Sequence, residues 1–221
     1  MKPGIYVFEG IDGSGKSTQY DLFVAWLEAR GQKYKSFKYP QYDDCISGEL
    51  VTSYLNNEFG PASEIDPKLA SLLYAFNRFE TKTMLKAWLE DGYWVLLDRY
   101  ATANMGHQLG KLQDDEEKLA FLHWLEKVEY NIFGIPRPAK VFWLDMPVEL
   151  AMKLLHGRDE KAYIDGDLDG LENADHLEKA RAGYAFVAER QKEWIRIPCD
   201  QEGVLRTPDD IQDDIRKHIK N

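Results

Sequence analysis

A chain of 221 residues has room for one large α/β domain with a full core and little for a second. Its formal net charge of −10 argues against nonspecific binding to nucleic acid polymers or anionic membranes, and no apolar run reaches transmembrane length. Cys45 and Cys199 stand far apart without metal-ligand spacing, and a strand begins too early to leave space for a signal peptide, so a soluble cytoplasmic protein is expected.

The first element is the apolar run from Ile5 to Phe8, which reads as a buried strand. It breaks at Gly10-Ile11-Asp12-Gly13-Ser14-Gly15-Lys16-Ser17 and runs into an amphipathic helix carrying Leu22, Phe23, Trp26 and Leu27, with Gly31 as its stop. Strand before and helix after is the context that a phosphate-binding loop requires. The glycines allow tight turns that aim successive N–H groups at an anion, and the helix adds its positive dipole end. Candidate contacts to a nucleotide's phosphates therefore run over Gly10, Asp12, Gly13, Ser14, Gly15, Lys16, Ser17 and Thr18. The Ser17 hydroxyl is placed to meet a Mg²⁺ that bridges phosphates.

Tyr34 to Tyr39 is a weak strand closed by Pro40, and Ile46 to Leu55 a short helix. Leu69, Leu72, Leu73, Phe76, Met84, Leu85, Trp88 and Leu89 mark the buried stripe expected of a long helix that ends at Asp91-Gly92. Tyr93 to Leu97 is a second strongly apolar strand. A helix follows from about Asp114 to Ile132, then a strand over Val141–Leu144 and a helix over Val148–Leu155. His156 to Leu171 is polar, aperiodic and expected to be a mobile lid. A helix over about Asn173–Glu193, a strand over Trp194–Cys199 and a helix over Pro208–Ile219 complete the chain. Apolar strands alternating with helices predict a three-layer fold, a five-stranded parallel sheet with helices on both faces, in a single domain over residues 1–221.

A second constellation is Asp98-Arg99-Tyr100, at the carboxyl end of the second strong strand. Ligands of open α/β sheets bind at that edge, and an apolar strand ending in Asp is where phosphate-loop enzymes place a carboxylate for the Mg²⁺ shell. Tyr74 and Arg78, four apart on the long helix, project together off the apolar stripe. They are suited to stack a base and bond its edge, or to form a solvent-facing cation–π pair. His123, His156 and His176 have no ligand-like spacing and read as surface or satisfied polar residues.

Phe8 to Gln19, Tyr39-Pro40-Gln41-Tyr42, Asn77-Arg78, and Asp98-Arg99-Tyr100 with Asn104 and Gln108 together resemble the thymidylate kinase family, in the same order. The match is close over residues 4–110 and in outline beyond. The resemblance implies a P-loop nucleoside monophosphate kinase that moves the γ-phosphoryl group of ATP to dTMP with Mg²⁺, commonly as a homodimer. It implies that Asp12 lies near the 3′-hydroxyl, that Tyr39 and Tyr42 flank sugar and phosphate, and that Tyr74 stacks on thymine. It further implies that Arg78 reaches the base edge, Arg99 holds the acceptor phosphate and Asn104 faces the base. Ser17 and Asp98 are the metal candidates.

Four positions depart from the family pattern. Tyr42 stands where some members have Arg, Ala103 where Ser is common, and Gly13 where one branch carries a loop arginine. His107 replaces the Tyr or Phe beside the sugar, which keeps dUMP, dGMP or a broad acceptor range open as an alternative. With Gly13 in the loop, the lid is left to supply a transition-state cation, and Arg158 suits that role better than Lys161 because its planar fork grips two oxygens. A GTP-dependent switch is disfavoured. It would need an Asn-Lys-x-Asp guanine reader, and the corresponding strand end reads Leu144-Asp145-Met146-Pro147.

Overall fold

The structure, a computed structural model, describes residues 2–43, 45–159 and 174–219. In chain order the elements are β1 (Gly4–Glu9), α1 (Lys16–Glu28), β2 (Tyr34–Lys38), α2 (Ile46–Leu55), α3 (Pro67–Glu90), β3 (Trp94–Asp98), α4 (Ala101–Leu109) and α5 (Asp115–Glu126). A π-helical turn (Lys127–Ile132) continues α5. Then come β4 (Lys140–Asp145), α6 (Val148–Asp159), α7 (Ala174–Ala188), β5 (Trp194–Pro198), a small hairpin of β6 (Asp200–Gln201) and β7 (Val204–Leu205), and α8 (Pro208–Lys217).

The five long strands form one parallel sheet in the order β2-β3-β1-β4-β5. β1 lies at its centre, with Phe8 opposite Asp98 on one side and Phe142 on the other. That register brings the phosphate loop after β1 and the Asp98-Arg99 strand end to the same edge. Core strands read as continuous apolar runs because helices cover the sheet: α1 and α8 pack together, and α3, α4, α5 and α7 form a second group. Helix starts follow their local chemistry. Asp66 accepts from Lys68 N–H and Leu69 N–H with Pro67 as the first helical residue, and Asp114 and Thr207 cap α5 and α8 in the same manner.

Several expectations need correction. The stripe on α3 holds only in its C-terminal half. Leu69 and Phe76 are exposed, and the buried face there is Ala70, Ser71, Ala75, Asn77 and Arg78. Periodicity reported the helix correctly but assigned its sides by hydrophobicity, whereas this half of α3 buries small and polar residues, with Asn77 bonded to Gln41 and Ser47 and Arg78 at a cavity wall. Helix α4 was not foreseen, although Ala101, Met105 and Leu109 lie at four-residue spacing in the core. The helix after residue 114 changes to π geometry at Lys127, and α6 continues through His156 to Asp159, into the segment expected as lid. The remainder of that segment lies outside the described residues.

Candidate active site

The loop between β1 and α1 is shaped by its glycines. Gly10, Gly13 and Gly15 all have positive φ, and a Cβ on Gly13 would lie 2.4 Å from the carbonyl oxygen of Ala151 in α6. A side chain there is excluded twice over, by backbone conformation and by the neighbouring helix. Lys16 folds back across the loop, donating to the carbonyls of Gly10 at 3.0 Å and Ile11 at 2.8 Å. Burial, with Arg99 nearby, pushes its ammonium down to about 8.

β3 delivers the next two groups. Arg99 takes a left-handed backbone (φ 64°) while its N–H reaches Phe8 carbonyl at 3.2 Å. Its Nη2 donates to Asp12 Oδ1 at 2.6 Å and its Nη1 to His107 Nε2 at 2.9 Å. Burial opposes ionisation of Asp12, but Arg99 and Lys16 outweigh it and hold the carboxyl below its usual range. Behind this turn the fully buried Glu9 accepts from Tyr100 N–H, Thr102 hydroxyl and Tyr184 hydroxyl, tying β1 to α4 and α7. Burial raises its carboxyl above the ordinary value.

Beside the loop, Ser17 and Asp98 share a shallow cavity with Tyr20, Lys38 and Gln41. Asp98 Oδ1 is buried without a hydrogen-bond partner, and Oδ2 lies 3.8 Å from Lys38 Nζ. An orphaned carboxylate oxygen next to a free-standing serine side chain is a donor set that fits a hard cation with oxygen ligands. Among the described residues no cluster of three or more His, Cys, Asp or Glu is arranged for a metal, so such an ion would depend on phosphates and water for its other ligands.

A more enclosed cavity of about 350 Å³ opens next to Asp12 and Arg99. It gathers Tyr39, Tyr42, Tyr74, Arg78, Asn104 and His107, residues drawn from the β2–α2 loop, α3 and α4. Tyr39 is buried and hydrogen-bonded to Thr81, and Tyr42 is exposed. Tyr74 meets Tyr54 edge-on at 5.9 Å, and Asn104 Nδ2 donates to Ser71 carbonyl at 3.1 Å. Arg78 is no solvent-facing residue. It is 2% exposed and forms a forked ion pair with the fully buried Glu129, which the π turn carries. Arg78 still forms part of the cavity wall.

The sequence-derived candidates on the loop, on β3 and around this cavity therefore come together at one sheet edge. Arg158 lies in the last turn of α6, and its side chain, like all of Lys161, lies outside the described residues. Tyr54, Lys111, His176 and Glu129 were not anticipated. Gln108, part of the motif but given no role, places a buried, unpartnered Oε1 at the cavity. None of these carries a local signal, because each joins the site through tertiary contacts; a buried glutamate opposite a helix arginine is visible only once α3 and α5 are packed.

A family profile described as thymidylate kinase matches residues 8–211. A probable thymidylate kinase of Thermococcus onnurineus is 31% identical over 214 residues, which cover 95% of this chain and 93% of that protein. A thymidylate kinase of Plasmodium falciparum is 29% identical over 213 residues, covering 96% and 88%. Among solved structures, a thymidylate kinase of Candida albicans matches with a TM-score of 0.74 at 22% identity, over 99% of this chain and 92% of that one, a likeness of fold.

Proposed function

Given that the chain belongs to the thymidylate kinase family, whose members phosphorylate dTMP to dTDP with ATP, we propose a division of labour among its residues. The loop from Gly10 to Thr18 cradles the ATP phosphates, with Lys16 swinging from the loop carbonyls onto the transferring group. Ser17 and Asp98 would hold Mg²⁺, which would supply charge to offset the donor phosphates. Arg99 grips the acceptor phosphate. Tyr74 stacks on the base, Arg78 and Asn104 meet its edge, and Asp12, Tyr39, Tyr42 and His107 surround sugar and phosphate.

The observation that carries this reading is the 2.6 Å bond between Arg99 and Asp12, which joins the wall of the acceptor cavity directly to the phosphate loop. Two polyanions bound on either side would meet across that contact. The acceptor phosphate, with a second pKa of about 6, is already largely dianionic at neutral pH. No general base is required, and the task is positioning and charge dispersal. Arg158 is proposed as the further cation during transfer, supported by the way α6 abuts Gly13 before running on to it. Loss of kcat in Arg158→Ala without loss of dTMP affinity is the expected result; unchanged kcat refutes the role.

A panel of nucleoside monophosphates with Mg-ATP tests the acceptor. Release of ADP above background with dTMP, and less with dUMP, dGMP and ribonucleotides, is expected; no signal with dTMP rejects the reading. A broad profile would instead favour the wider acceptor range that a histidine at 107 keeps open.

We further propose one cytoplasmic domain that pairs with a second copy of itself. Leu69, Phe76, Phe79 and Ile132 form an exposed apolar face on α3 and the π turn, which supports pairing, and light scattering at a single-chain mass would exclude it. No described helix is long and apolar enough to cross a membrane.

A further inference from the structure

Helices α4 and α7 approach unusually closely. A Cβ on Gly183 would lie 2.1 Å from Gly106 carbonyl oxygen, and one on Gly106 would lie 2.4 Å from the Tyr184 ring. This packing places His176, in the first turns of α7, against His107 on α4 at the wall of the acceptor cavity. His107 Nδ1 lies 3.4 Å from His176 Nε2. The ring planes are within 18° of each other and the centroids are 5.5 Å apart, so the rings lie nearly edge to edge, as an N–H···N bond in the ring plane requires.

The protons on these rings follow from Arg99. A guanidinium donates only, so His107 Nε2, 2.9 Å from Arg99 Nη1, must accept. A neutral imidazole with an accepting Nε2 carries its proton on Nδ1, the atom that faces His176. His176 Nε2 must then accept in turn. Burial first, and Arg99 after it, push the His107 imidazole well below its usual range, and burial lowers His176 also. These shifts favour the neutral form of both rings, which a one-way donor–acceptor chain needs. Tyr184 closes the side of His107, with ring centroids 5.6 Å apart.

We infer that His176 is a positioning residue for the acceptor site: by accepting from His107 Nδ1–H it fixes the tautomer that holds one arm of Arg99, while Asp12 holds the other. The chain Arg99→His107→His176 thus sets the guanidinium plane from a helix distant in sequence. The acceptor-phosphate part of this statement rests on the role proposed for Arg99; the hydrogen-bond chain does not.

Two arms test it. The first is long-range ¹H–¹⁵N correlation NMR of the ¹⁵N-histidine-labelled full chain without substrate. His107 protonated on Nδ1 is expected, and protonation on Nε2 overturns the inference. The second compares His176→Leu, which removes the acceptor, with His176→Gln, which keeps one near the same place. Stranding a buried donor should raise KM for dTMP about tenfold in the leucine variant, with KM for ATP changed less than about twofold, and glutamine should restore most of the loss. Equal defects in both variants, or equal defects for both substrates, show a packing role only and overturn it. If Arg99→Ala weakens ATP and dTMP equally, the acceptor role of Arg99 fails, and the NMR arm still decides the chain.

Discussion

The phosphate loop and the acceptor cavity lie side by side and are built on opposite plans. The loop is contiguous: residues 10–18 supply the turns, the N–H groups and the lysine, and its geometry comes from glycines that few alternatives can replace. The cavity is a convergence of residues from the β2–α2 loop, α3, α4 and α7, none of which forms a site alone. One region can be damaged chemically without unfolding; in the other, position and stability are entangled.

The sharpest way to break this contrast is at the Arg78–Glu129 pair. Both side chains are almost fully enclosed. Removing one partner strands the other charge, so Glu129→Ala should cost about 3–5 kcal/mol of stability by urea unfolding. A loss below 1 kcal/mol would show that the cavity wall does not depend on the pair. The opposite behaviour is expected at the loop. Lys16→Ala should lower kcat by about 10²–10³ in an ADP-release assay, with the melting curve nearly unmoved. If the melting curve falls as steeply as activity, the loop is no more separable than the cavity.

Arg99 belongs to both regions and should show intermediate behaviour. Arg99→Ala should raise KM for dTMP on the order of tenfold to a hundredfold, with a smaller change for ATP. Separate titrations of the two substrates decide it. A smaller effect is expected from acid. The folded Asp12 carboxyl is lowered, so its contribution is complete above its ordinary pKa of 3.8 and drains away as pH falls through the folded value. Stability between about pH 5 and 3 should therefore fall more steeply in the native chain than in Asp12→Asn, modestly because the side chain is partly solvated. Parallel curves would show that Arg99 and Lys16 do not favour its charge.

The same contrast explains what could be read without coordinates. The five parallel strands, the loop and the Asp98-Arg99 edge were legible because each is written in adjacent residues whose chemistry is local. Tyr74 and Arg78 were legible as neighbours by helical spacing, but not the inward turn of their face. Leu69 and Phe76 pointed the wrong way because a periodic pattern cannot distinguish an apolar face kept for the core from one left outside. Helix α4 escaped because its apolar inward positions, Ala101, Met105 and Leu109, are interleaved with buried Thr102, Asn104, Gly106 and Gln108, which blur the stripe. Glu129 and His176 escaped because their partners lie far away in sequence, 51 residues for Glu129 and 69 for His176.

Arg99 holds its left-handed backbone at φ 64°, a region where glycine rests at ease and other residues do not. Arg99→Ala and Arg99→Gly delete the same guanidinium and differ only in that backbone cost. Glycine should therefore be the more stable of the two by roughly 1 kcal/mol. Seen over generations, the position is under two opposed pulls, comfort of the chain toward glycine and grip on an anion toward arginine. A descendant that no longer needs the guanidinium has a downhill path here that leads away from the arginine, and the return requires accepting the strain again.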